Sequence, residues 1–273
     1  MTDHVTLTLR TSLAEAVEAW TVVANVFATL SEAEIASLPV GLGRRRATLG
    51  DFFDVRGERS SAVRIAGDVR LAHGIATGMA AGSLTIDGDV GARVGAGMTG
   101  GTIEVLGSTG DDAGVGMAGG SLPVHGNAGD RVGAATPGAS RGMTGGEIVV
   151  DGSVGTDAGA RMRRGLVFVG GNAGDRAARS IIAGTVVVMG RVGAEPAFAS
   201  KRGSLVACGR VDVPITYRYA CDYQPPHVRV MLTHVARRYG VAVNRTFIDG
   251  RYRRYCGDAG TVAKGEILEW IGG

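Results

Sequence analysis

The sequence predicts an all-β fold: a right-handed parallel β-helix solenoid with rungs of about 19 residues, a non-repetitive N-terminal cap and a small α/β C-terminal segment. Three observations predict it. Glycine recurs at a fixed short period, it fills two further positions of every rung, and each rung ends in two apolar residues separated by one. Short strands separated by glycine corners favour a parallel β-helix, in which each coil stacks ~4.8 Å above the last, over a helical repeat or a leucine-rich repeat.

The period is set by eight glycines, at residues 67, 88, 107, 126, 152, 171, 190 and 209. Most steps are 19 residues; the first is 21, and one is 26 because the seven residues 135–141 are inserted. Positions in a rung are counted from this glycine as position 0, with the insertion skipped. A fixed short period is typical of a solenoid, whose repeats each contact only their neighbours.

Five columns of this array have a structural interpretation. Positions 3 and 13 are glycine in all six rungs from Gly88 to Gly209, which predicts either a turn with positive φ or a closely approaching backbone. Positions 15 and 17 are apolar and are predicted to face inward from a short strand. Position 10 is predicted to form a stacked core ladder of Met98, Met117, Met143, Met162, Ile181 and Ser200.

Two further columns predict contacts. Position 5 alternates in charge along the stack, which predicts a vertical ion ladder of Arg93, Asp112, Arg131, Asp157, Arg176 and Glu195. Position 16 should point outward, and in the late rungs it forms an apolar strip of Val149, Phe168, Val187 and Val206. An exposed strip of this kind needs cover, which either the C-terminal segment or a partner protein would supply.

Basic residues gather before position 13 in the late rungs. They are Arg161, Arg163, Arg164, Arg179, Lys201 and Arg202, with Arg141 nearby in the insertion. Such a patch is either a solvated charged face or a contact for an acidic partner or a polyanionic ligand.

The flanks divide the chain into residues 1–60, 61–210 and 211–273. In the first segment, Ser31 and Glu34 form a capping box, and Phe52, Phe53 and Val55 are expected to seal one end of the stack. In the last, we expect a strand over 211–219, a helix over 228–239 ended by Gly240, and a hairpin over 247–252.

Other classes of protein receive little support. The net charge of +3 is too small to indicate nucleic acid, and no apolar run reaches the ~18 residues of a membrane span. The N-terminus lacks the pattern of a signal peptide, and three scattered cysteines indicate reduced thiols in a cytoplasmic protein. The sequence has no CxxC, HExxH or P-loop motif and no GxSxG nucleophile elbow, because its one GxSxG string, at 138–142, overlaps the inserted residues; it therefore predicts no catalytic residue and no metal ligand. Asp111 and Asp112 are interpreted as turn and surface residues.

The rung from Gly88 to Gly107 resembles the GXGXG β-helix that glutamate synthase large subunits share with the C subunits of formylmethanofuran dehydrogenases. The segments Ser31–Val40 and Leu49–Gly57 are similar to the N-terminal part of those C subunits, and within that family the chain resembles the C subunit of the bacterial formyltransferase/hydrolase complex. The resemblance covers most of residues 1–210.

The resemblance implies a non-catalytic scaffold in a cytoplasmic hetero-oligomer, with an amidohydrolase-like subunit that carries the metal, a formyltransferase subunit and further subunits. That complex moves a formyl group from formyl-tetrahydromethanopterin to a methanofuran-type carrier and releases formate, in the formaldehyde oxidation of methylotrophs. The carrier has a polyanionic, glutamate-rich tail, which Arg163, Arg164, Lys201 and Arg202 would hold if they do not contact an acidic subunit. The alternatives are a tungsten or molybdenum formylmethanofuran dehydrogenase, a glutamate-synthase-type spacer domain, a stand-alone enzyme and a carbohydrate-binding β-helix.

Overall fold

The computed structural model describes residues 4–272 and shows a mostly β fold. The predicted segments 1–60 and 211–273 therefore include residues, 1–3 and 273, that lie outside the described part. One sheet has 13 strands and a second has 4.

The N-terminal segment contributes to both sheets. Its elements are β1 Val5–Leu9, β2 Val17–Glu18, α1 Ala24–Phe27, α2 Glu32–Ala36, β3 Pro39–Leu42, β4 Arg45–Thr48, α3 Leu49–Phe52 and β5 Phe53–Arg56. The next segment begins with β6 Ala62–Ala66 and β7 Ala72–His73. The capping box that Ser31 and Glu34 predict is present at α2. At the edge of the large sheet, β5 pairs antiparallel with β1, which pairs parallel with β6. Phe53 and Val55 are buried there, as expected for a cap, whereas Phe52 is half-buried and packs against the core from outside.

Seven parallel strands occupy the middle of the large sheet in sequence order. They are β8 Ser83–Ile86, β9 Thr102–Val105, β10 Ser121–Val124, β11 Glu147–Val150, β12 Leu166–Val169, β13 Thr185–Val188 and β14 Ser204–Ala207. The register joins equivalent positions of successive repeats: Val167 pairs with Val186, and Leu122 pairs with Ile148 across the insertion. A second column of isolated parallel bridges runs from Val69 to Val192.

The predicted inward columns form the core. The residues at positions 15 and 17, from Ile103 to Ala207, belong to one buried cluster together with Met98, Met117, Met143, Met162 and Ile181. The methionine column is therefore a core ladder, and Ser200 at its end is also buried. Positions 15 and 17 and the methionine column therefore line the buried interior of the stack.

The two glycine columns have different physical causes. At position 3, a Cβ on Gly174 would lie 2.8 Å from the carbonyl carbon of Gly155, so the backbones are too close for a side chain. At position 13, Gly165 has a φ of +104°, and a Cβ there would also lie 2.7 Å from Met143 Cε. Position 3 is thus required by close approach, whereas Gly165 is required by both conformation and packing.

The C-terminal segment extends the large sheet. Its elements are β15 Arg218–Tyr223, α4 Pro226–Tyr239, α5 Arg245–Ile248, β16 Arg251–Gly257 and β17 Gly265–Gly272. β17 pairs parallel with β14, and β16 and β15 continue antiparallel from it. The expected helix ends as predicted, because Gly240 adopts the left-handed conformation with φ 70°.

Two predictions in this segment are wrong. The expected strand over 211–219 begins only at Arg218, because the Tyr217 amide closes a turn onto the Pro214 carbonyl. The expected hairpin over 247–252 begins as the helix α5, because the Asn244 side chain caps it by accepting from the Thr246 amide. The hairpin of this region is formed instead by β16 and β17.

The outward apolar strip is covered by the C-terminal segment, the first of the two expected alternatives. Phe168, Val187 and Val206 form a second buried cluster with Val228, Leu232 and Val235 of α4 and with Tyr252 and Leu268. The Glu147 carboxylate also accepts hydrogen bonds from His234, at 2.9 Å, and from the Tyr239 hydroxyl. Within residues 4–272, no helix has the length and apolar character needed to cross a bilayer.

Candidate binding surfaces

The alternating charges at position 5 form separate ion pairs, and the predicted continuous ladder is wrong. Arg131 Nε lies 2.7 Å from Asp112, and Arg176 Nη2 lies 3.2 Å from Asp157, each reaching one rung back. The side chain of Arg93 instead contacts Glu18 of the N-terminal segment, at 2.5 Å. All six position-5 residues have φ between 54° and 63°, a left-handed conformation that fixes the direction in which each side chain leaves the backbone.

Asp157 is the most buried carboxylate of this column. Its side chain is 12% exposed and also lies 2.6 Å from Arg179 Nε. Burial by itself would raise the pKa of Asp157, but the hydrogen bonds from Arg179 and Arg176 outweigh it and lower that pKa below its ordinary value. Two guanidinium groups therefore keep this carboxylate ionised.

Two polar ladders connect successive rungs and were not predicted. At position 1, side-chain oxygens of one rung accept from the backbone amide of the next, through Asp89, Ser108, Asn127, Ser153 and Asn172. At position 4, Asp111, Asp130 and Asp175 do the same. Asp111 and Asp112 thus serve structure, as expected of turn residues. The signal for the first ladder was a small polar residue at position 1 of five successive rungs.

The predicted basic patch is divided into two parts. Arg163, Arg164, Lys201 and Arg202 are exposed, and none of the four forms an ion pair with another residue of the described chain. The Arg163 amide bonds to the Met143 carbonyl and the Lys201 amide to the Ile181 carbonyl, so the two pairs stand two rungs, or roughly 10 Å, apart on one corner. This corner, defined by these four residues, is called the basic corner below.

Arg161 and Arg179 lie away from the basic corner. Together with Arg131 they line a cavity of about 230 Å³, whose other wall is formed by the inserted residues Ala135, Thr136, Pro137 and Gly138. Arg141 is exposed and is not among the lining residues of this cavity.

His125 and Cys208 also have structural partners. The His125 ring lies 2.7 Å from Asp151 and 3.3 Å from Glu104, and the hydrogen bond to Asp151 is the main cause that raises the pKa of His125. Cys208 is buried 3.6 Å from the Tyr252 hydroxyl, and burial raises its pKa to about 11. Among the described residues, no three His, Cys, Asp or Glu side chains are grouped as metal ligands would be.

The fold and these surfaces define the class: a glycine-repeat β protein that carries charged side chains on an exposed corner and in one side cavity. No family model matches the chain. The C subunit of the formyltransferase/hydrolase complex Fhc of Methylorubrum extorquens is 37% identical over 89 residues, a match that spans 33% of this chain and 34% of that relative.

Over nearly its whole length, the chain is similar to a solved structure. That structure is the X-ray crystal structure of the formyltransferase/hydrolase complex (FhcABCD) from Methylorubrum extorquens in complex with methylofuran. The TM-score is 0.90 at 36% identity, over 97% of this chain and 98% of the chain it matches. The chain therefore belongs to the family formed by the C subunits of formyltransferase/hydrolase complexes.

Proposed function

We propose that this chain is a non-catalytic scaffold subunit of a formyltransferase/hydrolase complex. That complex would convert formyl-tetrahydromethanopterin to formate through a formyl-methanofuran-type carrier in formaldehyde oxidation. The observation that carries the proposal is the structural likeness, at 36% identity, over 97% of this chain. Both relatives belong to that complex, which favours it over a tungsten or molybdenum dehydrogenase and over a glutamate-synthase-type domain.

The partners in this proposal are an amidohydrolase-like subunit with the metal, a formyltransferase subunit and further subunits. A scaffold role agrees with the state of the buried Cys208, whose thiol would otherwise be a candidate nucleophile. At neutral pH, the raised pKa of about 11 keeps Cys208 a thiol, and its weak hydrogen bond to Tyr252 lies inside the interface with α4.

We also infer that the parallel strands coil as a right-handed β-helix, with residues 1–60 as cap, 61–210 as coil and 211–273 as cover. The 19-residue register and the second column of bridges support successive coils. Right-handed connections between parallel strands are favoured because strands twist to the right.

Native purification tests the scaffold function. A tag on the chain in its own cells should recover amidohydrolase-like and formyltransferase subunits in fixed ratio, with formyl transfer and hydrolysis in the recovered complex. The chain purified alone should show neither activity. A monomeric chain without these partners, or full activity in a strain that lacks the chain, would contradict the proposal.

For the basic corner we propose contact with a polyanion: the carrier's glutamate-rich tail or an acidic surface of a partner subunit. The support is four exposed cations without an intramolecular ion pair on one side of the late rungs. Because solvent-exposed charges are screened at physiological salt, the contact should weaken steeply as salt is added.

A fourfold variant tests the basic corner. Changing Arg163, Arg164, Lys201 and Arg202 to glutamine should lower the carrier content of the purified complex or the fraction of chain assembled, as measured by mass spectrometry and native mass. The matched control changes four exposed cations of the N-terminal segment: Arg10, Arg44, Arg46 and Arg56. Unchanged carrier content and unchanged complex mass in the first variant would rule out the contact.

A further inference from the structure

The seven-residue insertion forms an ordered wall beside the stack. Its Ala139 amide donates to the Thr136 carbonyl at 2.9 Å, and Gly138 has φ 81°, which is the geometry of a type II turn with Pro137 at its second position. Arg161 Nη1 donates to the Ala139 carbonyl at 2.9 Å and fixes the turn against the next rung.

The turn creates a cavity that the uninserted rungs have no residues to form. The cavity measures about 230 Å³, several times the roughly 30 Å³ that one water molecule occupies. Its stack wall carries Arg131, Arg161, Arg179 and Asp157, so three guanidinium groups face one carboxylate. The formal charge of the lining is therefore +2, and one of the three guanidinium groups, that of Arg131, is also paired with Asp112 outside the lining.

Much of the hydrogen-bonding capacity of these arginines is unused. Asp157 already accepts from Arg179 and from Arg176, the second of which does not line the cavity. Within residues 4–272, Nη1 and Nη2 of Arg179, Nε and Nη2 of Arg161 and Nη1 of Arg131 donate to no acceptor. The side chains of Arg131 and Arg179 are only 39% and 33% exposed, so a ligand would meet donors that are partly removed from water.

We propose that this cavity is a binding site for a small oxyanion, a carboxylate or a phosphate group. A guanidinium presents a planar fork of N–H donors that matches two oxygens of either group, and charge-assisted bonds of this kind are the strong ones. The exposed Thr136 hydroxyl lies on the opposite wall as a further donor. The site is distinct from the basic corner and does not depend on the proposed function.

Calorimetric titration of the full chain with inorganic phosphate and with succinate, at constant ionic strength, tests the site. Saturable binding of either anion is expected, and the tighter one identifies the group. At a tenfold excess over Kd, the midpoint of thermal unfolding should rise by about 2–3 °C. Binding of neither anion, or a response that sodium chloride reproduces, would overturn the proposal.

Matched variants separate the cavity from general electrostatics. Arg179→Gln should weaken binding at least tenfold, whereas Arg176→Gln, which removes the other partner of Asp157 outside the cavity, should weaken it less than threefold. Deletion of residues 135–141 restores a 19-residue rung like its neighbours and should abolish binding. Equal losses in the two arginine variants, or full affinity after the deletion in a chain that unfolds cooperatively, would show that the cavity is not the site.

Discussion

Replacing Phe168 with alanine tests how the C-terminal segment covers the sheet. Phe168 is fully buried in the cluster between the outer face of β12 and α4. Truncation of a buried phenylalanine removes its transfer free energy and leaves a cavity, at a cost of about 3–5 kcal/mol. With an m value of about 3 kcal/mol/M in urea, the unfolding midpoint should fall by roughly 1–1.7 M.

Urea unfolding followed by circular dichroism measures the shift, and hydrogen exchange localises it. Amides of α4 should lose protection more than those of β9, which lies far along the stack from β12. Leu106→Ala is the control, because this side chain is 45% exposed and its truncation should change the free energy of unfolding by less than about 0.5 kcal/mol. A midpoint shift for Phe168→Ala no larger than that of the control would refute the helix cover.

Three further perturbations test the rungs. Gly174→Ala should lower the free energy of unfolding by about 1–3 kcal/mol, because the new Cβ would lie 2.8–2.9 Å from backbone atoms of the neighbouring rung. Asp157→Asn should destabilise the chain at neutral pH. Because the folded pKa of Asp157 is lowered, its contribution is present above about pH 4 and is lost as the pH falls through that lowered pKa, so the difference from wild type should shrink in acid. His125→Gln should show the opposite trend in the same pH series. The raised pKa of His125 makes its contribution complete below about pH 6.5 and lost as the pH rises through the folded value.

Each of these has a matched control. Gly260→Ala adds a Cβ whose nearest neighbour is 3.4 Å away, so it should change stability little. Asp212→Asn and His227→Gln alter exposed residues and should leave the pH dependence of unfolding as in wild type. A loss in Gly260→Ala equal to that in Gly174→Ala would contradict the close-approach argument. pH profiles parallel to wild type in the Asp157 and His125 variants would contradict the ion pairs.

The sequence was most informative where a column keeps one residue type along the stack. Glycine fills position 3 in all six rungs and methionine fills position 10 in four of them, because neighbouring repeats create the same backbone approach and a similar core gap. The period therefore predicted the strands, their parallel partners and the buried face. The flanks have no such repetition, and there local signals competed: Asn244 capped a helix where Asp249 and Gly250 had suggested a hairpin turn.

The charged residues show the limit of this reasoning. Spacing placed Arg93 and Asp112 in one column, and both have the same left-handed backbone conformation, but Arg93 contacts Glu18 of the N-terminal segment instead. Likewise, the one predicted basic patch is divided into the basic corner and a separate arginine-lined cavity. Which group a long charged side chain contacts depends on the segments that lie beside the column, which column counting does not include.

By itself, the sequence determined the repeat, the inward columns and the existence of an outward apolar strip that required cover. Only the tertiary structure decided that α4 supplies this cover and that β17 pairs with β14, which lies 62 residues earlier in the sequence. It also decided that the insertion forms one wall of a cavity beside Asp157. The physical reason is the range of the contacts. Neighbouring rungs interact at a constant sequence separation, which is visible as the repeat period. The other contacts each occur once between distant segments, so no repeated pattern in the sequence indicates them.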